Sequence, residues 1–344
     1  MGDYYDGTKL LSLLDINGKK PEVYIATSNR TAGKTTYFNR LLVNRFKRNY
    51  EKFCLIYRYT YEVDDCADKF FKDIKELFFP EDEMTSVKGG NGFYRRLLLN
   101  GIECGYAVAL NQAEQVKKNS HFFNDVSSML FDEFQSETNV YCPDEVKKFI
   151  SVHTSIARGK RKQVRYVPVY MLSNMVSLIN PYYTQLGVAG RLKADTKFLR
   201  GNGWVLEQGY NETAARLQAE SGFMQAFSDN NYVAYSAQGV YLNDNETFIE
   251  KPSGRFRYLA TISYCGRDYS VKEFVDAGIV YCDTSVDYQF PFRISATLED
   301  HSINHVILKN NDSFISLLKY YFNHGIFRFK DLMCKDCIIN LLSL

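Results

Sequence analysis

The sequence carries almost no excess of charge of either sign. Its 42 lysine and arginine residues stand against 40 aspartate and glutamate residues, which leaves a formal net charge of +2 over 344 residues. A balance this close to neutral neither demands nor excludes a polyanionic partner. Any surface that binds nucleic acid must therefore be local.

The sequence also lacks the patterns that direct a protein into or onto a membrane. Its first residues contain no basic segment followed by an apolar run, and Asp6 stands where an N-myristoylation signal needs Ser or Thr. No apolar stretch approaches the roughly 20 residues that span a bilayer. We expect a soluble intracellular protein with no membrane partner.

The cysteines show no recognisable disulfide or metal-binding pattern. The eight cysteines are scattered, and in a chain with no secretion signal they are expected to be reduced thiols in the core. Cys334 and Cys337 form a CxxC pair, but no second such pair and no histidine pair completes a zinc site. The pattern favours core thiols over a metal site.

The length of the chain suits two domains, since single cores rarely grow beyond about 250 residues. Residues 211–227 look like a polar helix with an Asn N-cap, and the chain then becomes rich in Asn, Asp and Ser. We predict a first domain over 1–205, a linker region over 206–240 and a small α+β domain over 241–344.

The first domain reads as an α/β domain with a parallel sheet. A strand at 22–28 precedes a helix from about Lys34 to Arg48, and further strands are predicted at 53–59, 127–131 and 164–172. Two β-rich runs, 93–99 and 102–110, are joined by Asn100-Gly101, which predicts an antiparallel hairpin. Between the last two of the buried strands we predict a helix that Pro143 opens and that ends near Arg158.

One segment fits the phosphate-loop pattern G-x-x-x-x-G-K-[ST], except that Ser28 replaces the first glycine. The candidate nucleotide-binding residues are Ser28, Asn29, Arg30, Thr31, Ala32, Gly33, Lys34, Thr35 and Thr36. Such a loop wraps backbone N–H groups around phosphates, while Lys34 reaches the outer phosphates and Thr35 offers its hydroxyl to Mg²⁺. The position of the motif between a predicted strand and a predicted helix supports this interpretation.

A pair of acids ends another predicted strand. Asp132 is the candidate for the Mg²⁺ site, and Glu133 is the candidate for orienting and deprotonating the attacking water. Asp-Glu after a strand is common by chance. Together with the phosphate loop, however, it predicts hydrolysis of ATP with Mg²⁺ as the cofactor.

Two further polar features have alternative interpretations. Asn174 ends a predicted strand, where it either senses the outer phosphate or simply forms a turn. The basic run 158–165 is either a solvated loop or a functional element. In the functional reading Arg158 is an arginine finger for a neighbouring subunit, and the candidates for DNA contact are Lys160, Arg161 and Lys162.

These motifs resemble the DNA-encapsidation ATPases of phi-29 type podophages. The matching segments are the loop at 28–35, Ile56–Glu62 with its Arg58-Tyr59 core, Phe131–Phe134, Arg158, Leu172–Asn174 with Asn180-Pro181-Tyr182, and Phe248–Lys251. FDEF and the stretch from LSN to NPY are the more specific of these. The resemblance covers most of the chain.

The resemblance implies a homopentameric ring that uses ATP to drive double-stranded DNA into an empty capsid. It implies an ASCE-type P-loop NTPase domain and a smaller α+β domain of RNase H-like, nuclease-like fold without nuclease activity. Lys34, Thr35, Asp132, Glu133 and Arg158 take the roles given above. The implied partners are the portal of the prohead and, in some members, a structural packaging RNA; the implied location is the host-cell cytoplasm and, transiently, the portal vertex.

Two rival functions remain at this stage. In a terminase-like motor the second domain would also cut DNA, with two metal ions held by acids such as Asp268, Asp276, Asp283 and Asp287. No spacing singles these acids out, so an inactive nuclease-like domain is favoured. A nucleotide-binding assembly protein that does not hydrolyse ATP is the other rival, and a catalytic acid such as Glu133 argues against it.

Overall fold

The computed structural model describes residues 4–158, 164–188, 191–192, 196–228, 230, 232–233, 235, 241–242, 244 and 247–343. The chain divides into two compact units. The first comprises Met1–Ser177 and Ala194–Asn243, and the second comprises Leu178–Lys193 and Asp244–Leu344.

The described residues form fourteen strands and ten α-helices. The strands are β1 (Val23–Ser28), β2 (Lys52–Tyr57), β3 (Met84–Gly89), β4 (Tyr94–Leu99), β5 (Ile102–Ala109), β6 (Val126–Phe131), β7 (Val169–Asn174), β8 (Phe198–Gly201), β9 (Trp204–Gln208), β10 (Arg257–Tyr264), β11 (Arg267–Phe274), β12 (Ile279–Asp283), β13 (Arg293–Ser295) and β14 (Phe327–Phe329). The helices are α1 (Thr8–Ser12), α2 (Lys34–Asn49), α3 (Thr60–Phe78), α4 (Ala113–Lys118), α5 (Glu145–Ile156), α6 (Pro181–Leu186), α7 (Glu212–Ala219), α8 (Gly222–Ala226), α9 (Ser313–Asn323) and α10 (Leu332–Ser343).

A nine-stranded sheet in the order β3-β4-β5-β2-β6-β7-β1-β9-β8 organises the first unit. The six neighbouring strands β5, β2, β6, β7, β1 and β9 are parallel to one another. Strands β3 and β4 at one edge and β8 at the other are antiparallel to their neighbours. One strand, β7, therefore lies between β1, which leads into the phosphate loop, and β6, which leads into the acid pair. This strand order agrees with the P-loop ATPase-like fold that the sequence predicts for the first domain.

The parallel strands are buried apolar runs because helices cover the sheet. Helix α2 turns one face inward, with Phe38, Leu42 and Phe46 at helical spacing and almost fully buried. The rings of Phe38 and Tyr170 on β7 have centroids 5.2 Å apart. This packing fixes the start of α2, and with it the phosphate loop, against the centre of the sheet.

Strand boundaries differ from the prediction at one functionally relevant place. The strand predicted at 164–172 begins at Val169 and continues to Asn174. Pro168 has no N–H to donate to a ladder, and Val164 is exposed, so the preceding residues do not join the sheet. Asn174 is consequently a strand residue rather than part of a turn.

The second unit is a small α+β structure. Its sheet has the order β13-β10-β11-β12-β14, in which β10, β11 and β12 are antiparallel and the two edge strands pair in parallel. Helices α9 and α10 cover a core that includes Ile262, Val271 and Phe329. Cys334 and Cys337 on α10 are buried in this core with Cys282.

The predicted domain boundaries need correction. The boundary at residue 205 falls inside β9, which pairs with β1, and the described part of 206–240 belongs to the first unit rather than to a separate linker. Residues 178–193 belong to the second unit, which resumes at Asp244. The sequence pattern missed this because β9 is a short strand whose partner lies some 180 residues earlier in the chain.

Two negative findings apply to the described ranges alone. None of the helices there is long and apolar enough to cross a membrane. No group of three or more His, Cys, Asp or Glu side chains in the same part of the chain is arranged to hold a metal ion.

Candidate nucleotide-binding and catalytic site

The phosphate loop leaves β1 at Ser28 and enters α2 at Lys34. Gly33 adopts a left-handed conformation with φ of +92°, which favours glycine. A Cβ at this position would come within 3.2 Å of the Tyr4 ring. The left-handed conformation therefore favours glycine at position 33, whereas the contact would only require the exposed Tyr4 ring to shift slightly.

Ser28 is tolerated in place of glycine because its backbone is not in the left-handed region. Its side chain also has a partner, since Lys34 Nζ donates a 2.6 Å hydrogen bond to Ser28 Oγ. Both residues are buried. The serine that replaces the usual glycine thus holds the side chain of Lys34 in place.

The two strands beside the loop place further polar groups near Lys34. The β1–β7 register sets Ser28 opposite Asn174, whose Oδ1 lies 3.4 Å from Lys34 Nζ. Burial lowers the pKa of Lys34 to about 8, partly offset by the negative charge of Asp132. The ammonium group of Lys34 is therefore poorly solvated, and Asp132 is the side chain whose negative charge partly compensates its positive charge.

The acid strand meets the loop at Thr35, whose hydroxyl donates a 2.7 Å hydrogen bond to Asp132 Oδ2. Burial raises the pKa of Asp132 to about 6, against the effect of this hydrogen bond. A hydroxyl and a carboxylate at this separation are the kind of hard oxygen donors that Mg²⁺ prefers. The residues present therefore fit a magnesium ion.

Glu133 follows with an exposed side chain and a φ of +54°, and its N–H is hydrogen-bonded to Asp132 Oδ1 at 2.9 Å. A left-handed backbone costs a non-glycine residue free energy, and such positions cluster at functional sites. The turn presents the Glu133 side chain at the end of the sheet.

These groups share one cavity of about 240 Å³, the phosphate cavity. Its lining residues are Tyr4, Thr31–Thr36, Asp132, Glu133, Ser173 and Asn174. The structure thereby brings together most of the predicted site residues. Asn29 and Arg30 direct their side chains elsewhere: Asn29 exchanges hydrogen bonds with the backbone of Asn211, and Arg30 forms a 2.8 Å ion pair with Glu137.

Arg158 lies away from this cavity and is exposed. Arg165 links the start of β6 to the end of α5 by donating to the carbonyl oxygens of Val126 and Ile156. Asp132 follows the opposite end of β6, and six strand residues span about 20 Å. Arg158 is thus at the other edge of the sheet from the phosphate loop, and Lys160, Arg161 and Lys162 lie outside the described residues.

A buried ion pair missed by the sequence analysis supports the acid turn. Arg58, 8% exposed, donates to Glu145 Oε2 at 2.8 Å and to the carbonyl oxygen of Phe134 at 2.9 Å. It therefore connects the end of β2, the residue after Glu133 and the first turn of α5. Only the Arg58-Tyr59 match to the encapsidation ATPases marked this residue in the sequence.

Within the described part of the second unit, no group of three or more acidic, His or Cys side chains is arranged to hold a metal ion. Asp283 is 3.2 Å from Lys272 Nζ and 3.9 Å from Lys330 Nζ, and hydrogen bonding to Lys272 helps hold its pKa below the usual range despite burial. Asp268 lies 3.6 Å from His305, and the Asp287 N–H contacts Tyr258. Asp283 is already neutralised by lysines of its own unit.

Known proteins are similar to this chain in sequence and in fold. The DNA packaging protein of Bacillus phage phi29 is 26% identical over 316 residues, covering 91% of this chain and 90% of the relative. That of Bacillus phage B103 is 25% identical, covering 82% of this chain and 83% of the relative. The bacteriophage Phi-29 viral genome packaging motor assembly contains a chain of similar structure, with a TM-score of 0.71, 25% identity and 99% coverage of both chains.

A model of a protein family matches this chain over nearly its full length and points to the same function as these relatives. The model for the podovirus DNA encapsidation protein (Gp16) matches residues 3–343. Because the match includes both units, it does not rest on the common P-loop motif alone. The chain belongs to the podovirus DNA encapsidation protein family.

Proposed function

We propose that this chain is the ATP-hydrolysing subunit of a motor that drives double-stranded viral DNA into a preformed capsid. Membership of the encapsidation family supports the packaging role. The observation that carries ATP hydrolysis is the 2.7 Å hydrogen bond from Thr35 to Asp132, because it joins the phosphate loop to the acid strand. Glu133 lines the same cavity.

Each residue has a definite role in this reaction. Lys34 and the loop N–H groups stabilise negative charge on the phosphates, while Thr35 and Asp132 hold Mg²⁺. Bound Mg²⁺ neutralises phosphate charge. Glu133 accepts a proton as a water oxygen bonds to the γ-phosphorus, the bond from that phosphorus to the bridging oxygen breaks, and ADP and phosphate leave. Asn174, on the strand between the two motifs, orients the outer phosphate.

We propose that Arg158 completes the site of a neighbouring subunit. Its position at the edge of the sheet opposite the phosphate loop supports action in trans and disfavours action within its own site. When subunits associate head to tail, every site is completed by a neighbour only if the ring closes, because an open assembly leaves one unpaired end. A homopentamer at the portal vertex is the assembly that the family resemblance favours.

The remaining partners follow from the same proposal. Double-stranded DNA is the substrate of translocation, and Lys160, Arg161 and Lys162 are the candidate contacts with its phosphates. The portal of the prohead, and a structural packaging RNA in some assemblies, would hold the ring at the capsid within the host-cell cytoplasm. The second unit is proposed to be an RNase H-like domain without nuclease activity. The pairing of Asp283 with two lysines supports the second part of this proposal, the lack of nuclease activity.

The decisive experiment compares Glu133→Gln with Lys34→Ala in DNA-stimulated ATP turnover and in ATP binding. Loss of a general base lowers kcat by about 100-fold or more while leaving ATP affinity nearly unchanged. Lys34→Ala is expected to weaken binding as well. Wild-type turnover in Glu133→Gln would instead identify a protein in which this acid is not catalytic, and metal-dependent plasmid cleavage by the wild type would favour the terminase-like alternative.

A further inference from the structure

A second cavity adjoins the phosphate loop on its far side from the acid strand. It has a volume of about 420 Å³, and its lining includes Tyr4, Tyr5, Glu207, Tyr210 and Asn211. It shares Tyr4 and Ala32 with the phosphate cavity. The two cavities are therefore neighbours on either side of these two residues.

We propose that this second cavity binds the adenosine moiety of the ATP whose phosphates occupy the phosphate cavity. The proposal rests on the ATPase function given above and adds the subsite that recognises the base. It assigns Tyr210 as the residue that stacks on adenine.

The direction of the nucleotide follows from the catalytic acids. Glu133 must face the outermost phosphate, so the nucleoside has to leave the phosphate cavity on the side away from it. A third cavity, of about 170 Å³, lies on the acid side and is lined by Asp132, Glu133 and Arg58. The second cavity contains neither catalytic acid and is the one on the opposite side.

The charges of the second cavity suit a nucleoside and not a phosphate. Among the described residues that line it, Asp6, Glu207 and Glu212 are acidic and none is basic. Carboxylates repel a triphosphate but accept hydrogen bonds from ribose hydroxyls and from an exocyclic amino group. The phosphate cavity has the complementary character, because it contains Lys34 and the start of α2.

Both walls of the second cavity are attached to the phosphate loop. On one wall the Tyr5 N–H donates to the carbonyl oxygen of Ala32 at 2.7 Å, and the Tyr5 hydroxyl donates to Glu207 at 2.6 Å. On the other wall Asn211 and Asn29 exchange two hydrogen bonds, of 2.9 and 3.2 Å. A base held between these walls therefore has a fixed position relative to the phosphates.

The contact with the base is assigned to Tyr210, which lies between β9 and α7 and is 50% exposed. Stacking of a base on an aromatic ring is worth enough to change affinity about tenfold or more. Tyr4 has a different position, over Gly33, and marks the boundary between the two cavities.

The test compares two ligands that share phosphates but differ in the nucleoside, namely Mg-ATP and magnesium tripolyphosphate. Titration calorimetry of the full chain should show that Tyr210→Ala weakens ATP binding about tenfold and leaves tripolyphosphate binding unchanged. Tyr210→Phe, which keeps the ring, should retain the affinity of the wild type for both ligands. Lys34→Ala should weaken both, which reports on the phosphate site independently.

Three results would overturn the proposal while leaving the ATPase function intact. The first is unchanged ATP affinity in Tyr210→Ala, and the second is an equal loss for both ligands, which would show damage to the phosphate loop. The third is a wild type that binds tripolyphosphate as tightly as ATP. If Lys34→Ala affected neither ligand, the proposed nucleotide site itself would fail.

Discussion

Ser28 and Lys34 are joined by a buried 2.6 Å hydrogen bond from the lysine ammonium to the serine hydroxyl. The usual phosphate loop has glycine at the first of these positions, so this bond is a particular feature of the present sequence. It provides a partner for a cation whose pKa burial has already lowered. The bond therefore bears on stability as well as on catalysis.

Replacing Ser28 by Ala removes this partner and should lower the free energy of unfolding by about 1.5–3 kcal/mol, the usual worth of a hydrogen bond to a charged group. Added Mg-ATP supplies phosphate oxygens to Lys34, so the deficit should shrink when the ligand is present. Thermal unfolding with and without Mg-ATP measures both effects. Ser155→Ala is the matched control, because the buried Ser155 Oγ donates to a backbone carbonyl oxygen outside the phosphate cavity. A ligand-independent deficit at Ser28 equal to that of the control would contradict the prediction.

The pH dependence of kcat/KM should be bell-shaped, with limbs near pH 6 and pH 8. The pKa of Asp132 is raised to about 6, so the carboxyl is protonated below that pH and loses Mg²⁺. The pKa of Lys34 is lowered to about 8, so its positive charge is lost above that pH and phosphate binding weakens. In the ATP complex the phosphates favour the ammonium and Mg²⁺ favours the carboxylate, so the limbs of the kcat profile should move apart. A flat kcat/KM between pH 5 and pH 9 would rule out these two groups.

Arg58→Ala should destabilise the first unit by about 3–5 kcal/mol, because it leaves Glu145 buried without its charge partner. It should also reduce turnover, since Arg58 holds the carbonyl oxygen of Phe134 beside the acid turn. Urea unfolding and ATP turnover are the two measurements. Lys88→Ala, which breaks a solvent-exposed ion pair with Asp64 in the same unit, should cost at most about 1 kcal/mol, and an equal effect of the two changes would show that burial of the Arg58 pair has no special weight.

Mixing two inactive variants should restore ATP turnover if Arg158 acts in trans. Arg158→Ala keeps an intact acid pair, and Glu133→Gln keeps the finger, so a ring that contains both has complete sites at some boundaries. Random mixing in equal amounts completes about a quarter of the boundaries in a cyclic ring. Turnover is measured against the mixing ratio, with each variant alone as the control. No recovery at any ratio, with rings shown to exchange subunits, would exclude a trans-acting Arg158.

The sequence allowed those parts of the site to be predicted whose residues lie next to one another in the chain. Lys34 and Thr35 follow from a contiguous loop, and Asp132 and Glu133 follow from an apolar strand that ends in acids. Their meeting also follows from the sequence, because parallel strands of one sheet present their carboxyl ends at the same edge. The family resemblance extended this prediction to DNA packaging, and the family match confirms it.

Features that depend on distant residues could not be predicted in the same way. The Arg58–Glu145 pair joins residues 87 positions apart, and the Tyr5–Glu207 hydrogen bond joins residues 202 positions apart. Neither pair has a local sequence signature. The domain boundary at 205 was wrong for the same reason, since β9 is identified as part of the first unit only by its pairing with β1.

The sequence by itself determined the loop, the acid pair, the buried strands and the family, because each depends on residue types at short and fixed spacing. Only the tertiary structure decided that Ser28 holds Lys34, that Arg58 supports the acid turn, and that Arg158 lies at the opposite edge of the sheet from the phosphate loop. It also brought together the walls of the second cavity, which come from residues 4–6 and from residues 207–213. Side-chain proximity, burial and the resulting pKa shifts arise when distant segments pack together, and no local pattern encodes that packing.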